Sequence, residues 1–558
     1  MSRRAAIIRS NRLGRAGRAV ALLAFVVLSS SCLSGSDALR DTGSSRVREP
    51  IAFPDTNVIL VGAASRVATV PGGSPWAGTG DGPQRLGVGS TTEPIEPERD
   101  CSPRVPDDLR VSTTAPSEAG IEISQAVYPC AHEVGLAPVS DAAAIATLVS
   151  RGIRGPLLLV DSWVEPPLMI ELRRLAPDRI VAAGLDRRAF SYALADFALE
   201  MVTVDEQATI PFGGAPHDRV WIVDNTEPAT PLAALGHQIG VGVVAATEDL
   251  RAASPEEREM IFGASRVEVL FDLGEDAAWQ LEVIRRGDEI PGGGLLMFEP
   301  GRGDPGRNRR LVAMYGHPAT TTLGVLGEQG PEAGIERLRS IAGGYDGDGY
   351  TVLPTFEIIA TVASAAPGRD GDYSGETARD AIRPWIEAAA ANDVYVVLDL
   401  QPGRTDFLTQ ARIYEEFLRL PHVGLALDPE WRLKPDQVHL NQIGTVDAAE
   451  INRVIDWLAG IVRREALPQK LLIVHQFRLS MITNRSGIRT PPELAVLIHM
   501  DGQGSLGAKY GTWDTLTAGT GADRFHWGWK NFYDEDSPLA TPEQVLELTP
   551  TPVFVSFQ

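Results

Sequence analysis

Apolar residues fall along this chain in short runs, separated by stretches in which they recur every three or four positions. That alternation predicts βα units feeding a parallel sheet. After residue 130, 155–161 reads as a buried strand, 166–175 as a helix and 179–184 as the next strand. A looser series follows, with strand-like runs at 218–224, 242–246 and 266–271 and a helical stretch at 231–238. From Arg310 onward eight runs recur, at 311–315, 351–357, 394–399, 423–428, 471–475, 494–499, 524–529 and 552–557. Helical patterns such as 378–391, 407–419 and 448–465 fill most of the gaps. Eight βα repeats in about 250 residues is the size of a (β/α)8 barrel. The predicted fold is therefore α/β: parallel α/β layers at 105–212 and 213–306, then a C-terminal TIM barrel at 307–558.

The N-terminus reads differently. Arg3, Arg4, Arg9, Arg12, Arg15 and Arg18 precede an apolar run at 19–28, and Ser29, Ser30 and Ser31 lead to Cys32. Such a run is too short to cross about 30 Å of hydrocarbon, so 1–31 is expected to be an export signal. The stretch resembles a bacterial lipoprotein signal, which implies lipidation of Cys32 and a membrane anchor through that lipid. Residues 32–104, rich in Ser, Gly, Thr and Pro, are expected to form a flexible tether; 57–61 within it is either a strand or an apolar patch. Of the three cysteines, Cys101 and Cys130 remain as a pair if Cys32 carries lipid, and an exporting compartment favours a disulfide between them.

Charge narrows the partners. With 51 basic and 73 acidic residues the net charge is −22, which repels phosphate backbones, so no nucleic acid is expected. Arginine greatly outnumbers lysine (Lys434, Lys470, Lys509 and Lys530 alone), the composition of a GC-rich, actinobacterial genome. The expected location is the outer face of the cytoplasmic membrane or the cell wall.

Asp141-Ala142-Ala143-Ala144-Ile145-Ala146, Pro156-Leu157-Leu158-Leu159, Glu171-Leu172-Arg173-Arg174-Leu175 and Ile180-Val181-Ala182-Ala183-Gly184 occur in that order. Over roughly residues 130–210 this resembles the cell wall-binding repeats of secreted bacterial proteins. The resemblance implies a cell-envelope glycan as partner.

In a (β/α)8 barrel the strand C-termini line the mouth, where such folds keep their sites. Here those positions carry His317, Glu357, Asp399, Gln401, Asp428, Glu430, His475, Gln476, His499, Asp501 and Lys530. Glycoside hydrolysis needs two facing carboxylates, and Glu357, Asp399, Asp428 and Glu430 come from neighbouring strands. Trp431, Trp513, Trp527 and Trp529 are expected to fall on the same rim, and flat apolar rings suit sugar faces. The segment Leu427-Asp428-Pro429-Glu430 is similar to the strand end of several barrel glycosidases, including the lysozyme-like family that cuts bacterial wall glycan. On that basis Glu430 is expected to be the general acid, Asp399 or Asp428 the base or nucleophile, and Glu357 the alternate carboxylate. Substrate contacts are expected from His317, Gln401, Trp431, His475, Gln476, His499, Asp501, Trp527 and Trp529.

Other chemistries have weaker signatures. A metal hydrolase would use His475, His499 and Asp501, with His317, but H-x-H and HExxH are absent, so no metal is expected. Neither G-x-S-x-G nor a glycine-rich phosphate loop occurs, so no cofactor is expected. A non-catalytic wall-binding or scaffold protein on a retired barrel stays open. Carboxylates locked to Arg404, Arg432 or Arg478 would favour that scaffold.

Overall fold

The computed structural model describes residues 58–60 and 99–558, apart from 107–108, 110, 112, 114, 162–164, 211–217, 225–228, 247–248, 270–275, 299–307 and 348. The expected signal peptide, Cys32 and nearly all of the tether lie outside the described residues. No helix among the described residues is long and apolar enough to cross a membrane.

Among the described residues eight strands precede the barrel: β1 (Val58–Leu60), β2 (Glu133–Pro138), β3 (Leu157–Val160), β4 (Arg179–Ala183), β5 (Leu199–Val202), β6 (Arg219–Asp224), β7 (Gly242–Ala246) and β8 (Arg266–Val269). They form two four-stranded sheets in the orders β3-β2-β4-β5 and β1-β8-β6-β7. Every pairing in both is parallel. Residues 57–61 thus contain a strand, aligned with β8 through Val58 opposite Val267. Alternation along β6 and β7 gives the second sheet two apolar faces. Trwo-sided burial explains the continuous apolar runs: Trp221, Val223 and Val243 join the core around β2–β4, while Val220, Ile222 and Val244 join the core that continues around the barrel. Cys101 and Cys130 are disulfide-bonded.

The helices start and stop where local chemistry dictates. Asp141 caps the helix Ala142–Arg151 by accepting from the Ala144 amide, and Gly152 ends it in the left-handed conformation. Ser254 and Glu257 form a capping box for Pro255–Gly263. The predicted helix at 407–419 is split into Phe407–Ile413 and Glu415–Leu418 at Tyr414, whose hydroxyl donates to the Ala360 carbonyl at 2.6 Å.

The barrel consists of β9 (Arg309–Gly316), β10 (Thr351–Ala363), β12 (Tyr395–Leu400), β13 (Val423–Leu427), β15 (Lys470–His475), β17 (Leu494–Met500), β18 (His526–Asn531) and β19 (Phe554–Phe557). Short β11 (Ser374–Glu376) adds antiparallel to β10, and β14 (Val446–Asp447) pairs with β16 (Ile482–Thr483). All eight barrel pairings are parallel, and β19 closes the cylinder on β9. All eight predicted runs are barrel strands.

Side chains alternate between the helices outside and the lumen inside. The lumen is filled by Leu311, Ala313, Leu353, Tyr395, Val397, Ala426, Leu471, Ile473, Ala495, Leu497 and Phe554. Ile290 and Met297 pack against the same residues from the connection before β9 and close the lower end. A Cβ on Gly424 would lie 2.7 Å from the Leu471 carbonyl oxygen and 3.0 Å from the Tyr395 hydroxyl, so glycine there leaves room for the tyrosine. Above this apolar plug the inward positions turn polar.

Candidate active site

Following the lumen-facing parity one step toward the strand C-termini reaches Tyr315, Glu357, Asp399, Asp428, His475, His499, Lys530 and Ser556. Register puts them in one layer: Glu357 is opposite Tyr315, His475 opposite His499, and Lys530 opposite Ser556. Glu357, Asp399, His475 and His499 are wholly buried, and Asp428, Asp501 and Lys530 nearly so. Carboxylates and cations at this depth require partners.

His475 is the hub. Its Nδ1 lies 3.1 Å from Asp501 Oδ2, and its Nε2 lies 3.0 Å from Glu357 Oε1 and 3.8 Å from Asp399 Oδ1. Burial opposes charge on this imidazole, but the hydrogen bonds to Asp501 and Glu357 outweigh it and hold it protonated well above the ordinary histidine range. The same contact holds Asp501 below the usual carboxylate value despite its burial. His499 has no such pair: burial and the neighbouring His475 charge hold it well below the ordinary value, and its Nε2 lies 3.2 Å from Ser556 Oγ.

Tyr315 donates to Asp399 Oδ2 at 2.8 Å and receives the Gln401 amide at 3.3 Å. Lys530 Nζ sits 3.4 Å from the centre of the Tyr315 ring, a cation–π contact inside the barrel. Burial raises Asp399 to about 6 and Asp428 well above its ordinary value. Asp428 Oδ1 accepts from the Glu430 amide and caps the single turn Pro429–Trp431, which carries Glu430 to the half-buried rim. Gly444 holds that turn from outside: its amide donates to the Glu430 carbonyl at 2.7 Å, and a Cβ there would lie 2.5 Å from the same oxygen. Burial and the Asp501 charge push Glu430 up to about 7.

The structure brings Glu357, Asp399, Gln401, Asp428, Glu430, His475, His499 and Asp501 together at the mouth. Three other expected contacts, Trp527, Trp529 and Gln476, face elsewhere. Trp527 and Trp529 occupy the outward positions of β18, on either side of inward Gly528, and pack with Trp513 in the wall at ring-centre distances of 5.9 Å. They are core residues and cannot touch a ligand in the lumen. Gln476 follows His475 and so faces away, where its Oε1 accepts from Arg485 Nη1 at 2.8 Å. His317, just past β9, is bound at Nε2 to Thr377 Oγ1 at 2.9 Å. Trp431 is partly exposed beside Glu430 and stacks on His439 at 4.7 Å. Tyr315 and Ser556 escaped the sequence reading, although both fall on inward parity in strands it had found.

None of Glu357, Asp399, Asp428 or Glu430 is ion-paired to an arginine among the described residues. Arg432 instead pairs with Glu450 at 2.8 Å, and Arg404 lies over the Tyr373 ring and donates to the Gln437 carbonyl. Among the described residues two groups have the spacing to hold a metal ion: Glu357, His475 and His499 in the lumen, and exposed Asp370 and Glu376 with half-buried Asp372 near β11.

Fold and site define an α/β chain ending in a (β/α)8 barrel with a buried acid–imidazole cluster at the mouth. No family model, curated protein or solved structure matches the chain.

Proposed function

We propose that this chain is an exported cell-envelope protein, anchored by lipid on Cys32, whose barrel binds and hydrolyses an envelope polysaccharide by paired-carboxylate chemistry. The α/β layers, through their resemblance to cell wall-binding repeats, hold the barrel against its substrate. Glu430, at the rim on a rigid turn, is the general acid. Asp399 is its partner: Oδ2 is engaged by Tyr315 while Oδ1 has no hydrogen-bond partner, whereas Asp428 spends Oδ1 on capping the Glu430 turn. Tyr315 and Lys530 orient and charge-balance that pair, and Trp431 offers a ring face beside the acid.

The observation that carries this reading is that none of the mouth carboxylates is tied to an arginine among the described residues: their cationic neighbours are His475 and Lys530, which lie in the same buried layer. The test incubates the full chain with purified bacterial wall glycan and follows both sedimentation with the glycan and release of reducing ends. Binding with release supports the reading. Binding without release returns the chain to the non-catalytic scaffold class, and failure to bind overturns the reading.

A further inference from the structure

The lumen contains a second chemical feature that paired-carboxylate hydrolysis does not use. Glu357 Oε1 lies 3.0 Å from His475 Nε2 and 4.0 Å from His499 Nδ1, and the ligand atoms of the three residues all fall within 4.8 Å of one another. Four-coordinate zinc, with bonds of about 2.0–2.1 Å to nitrogen and oxygen, needs donor separations of roughly 3.3–3.5 Å. The three donors bracket that spacing.

Two further observations point to a ligand. Glu357 Oε2 and His499 Nδ1 are buried polar atoms without a hydrogen-bond partner, both on wholly buried side chains that face this space. Such atoms are costly unless something occupies the gap. In addition, the far side of each imidazole is already fixed. His475 Nδ1 is held by Asp501 Oδ2 at 3.1 Å and His499 Nε2 by Ser556 Oγ at 3.2 Å, which leaves Nε2 of the first and Nδ1 of the second turned inward. A carboxylate or hydroxyl behind a ligating histidine is the outer shell that orients metal sites.

We infer that Glu357, His475 and His499 form a three-residue site for one divalent transition-metal ion, zinc by donor type, with a coordination position left open toward Asp399. On binding, the proton shared by His475 Nε2 and Glu357 Oε1 leaves to solvent and the ion takes its place. Two imidazoles and one carboxylate match borderline ions such as zinc and cobalt better than calcium or magnesium, which prefer all-oxygen shells. The inference concerns the floor of the proposed glycan site but does not depend on what the site cleaves, because its readout is metal binding.

The test titrates Co2+ into the chelator-stripped full chain and records visible ligand-field absorption, followed by displacement with Zn2+. One saturating equivalent that zinc displaces is expected. Asp501→Asn, which removes only an outer partner, is expected to weaken binding about 10–100-fold, and Glu357→Gln and His499→Ala to weaken it further. Ser556→Ala, a smaller change, keeps the test alive if His499→Ala fails to fold; it too is expected to weaken binding. Absence of saturable absorption in the wild type would overturn the inference. So would equal binding by wild type, Glu357→Gln and Ser556→Ala, which would place the ion elsewhere.

Discussion

Replacing Glu430 by glutamine should make the protein more stable at alkaline pH while removing its activity. The folded state raises this carboxyl from the ordinary 4.5 up to about 7, through burial first and then the Asp501 charge. Below pH 4.5 the group is protonated in both states and contributes no difference. Between 4.5 and 7 the unfolded chain loses the proton while the folded chain keeps it, so stability falls as pH rises; above 7 the full cost of the buried charge is present. At 1.36 kcal/mol per unit the ceiling is about 3 kcal/mol, and partial exposure at the rim trims this to about 1–2 kcal/mol. Glutamine keeps the shape without the charge. Calorimetry at pH 8 should therefore show the barrel transition of Glu430→Gln roughly 2–8 °C above wild type, at about 2–4 °C per kcal/mol for a domain of this size, with the difference vanishing near pH 4.5. A variant that is less stable at pH 8, or equally shifted at both pH values, would refute the reasoning.

Lys530 lowers the proton affinity of Glu430 and Asp399, so Lys530→Met should move the alkaline limb of the pH–rate profile upward; an unchanged or downward limb contradicts its placement. Trp431→Ala should weaken glycan binding about 3–10-fold, on the order of 1 kcal/mol for one aromatic face, as measured by co-sedimentation. Trp527→Phe and Trp529→Phe should leave binding unchanged and lower thermal stability instead, since both rings are wall packing; a binding loss in either would return them to the mouth. Replacing Cys101 and Cys130 by serine removes a bridge between residues 29 apart in sequence and should cost the N-terminal α/β layers about 3–4 kcal/mol in denaturant melts. The barrel transition should stay in place.

The barrel strands were legible because each is an apolar run buried on both faces, which leaves a signal independent of tertiary detail. The mouth was half legible. Acids and histidines at strand ends stand out by type, so Glu357, Asp399, His475 and His499 were found, whereas Tyr315 and Ser556 look like ordinary strand residues until parity and register align them with Glu357 and Lys530. Parity also decides the tryptophans: Gly528 and Lys530 face inward, so Trp527 and Trp529 cannot. Strand β2 was missed because Glu133, Gly135 and Pro138 interrupt its apolar run. Its place beside β3 and β4 is set by pairing, and Glu133 is satisfied by Arg179 and the Arg154 amide, contacts that a local pattern does not contain.

The most direct test of the central claim is reducing-end release from purified wall glycan, measured in parallel for the full chain and for Glu430→Gln and Asp399→Asn variants shown to fold by calorimetry. Release by the wild type and a loss of at least about a hundredfold in each variant, with glycan binding retained, are expected. Release that survives in both variants, or its absence from the wild type, would rule out paired-carboxylate hydrolysis at this mouth.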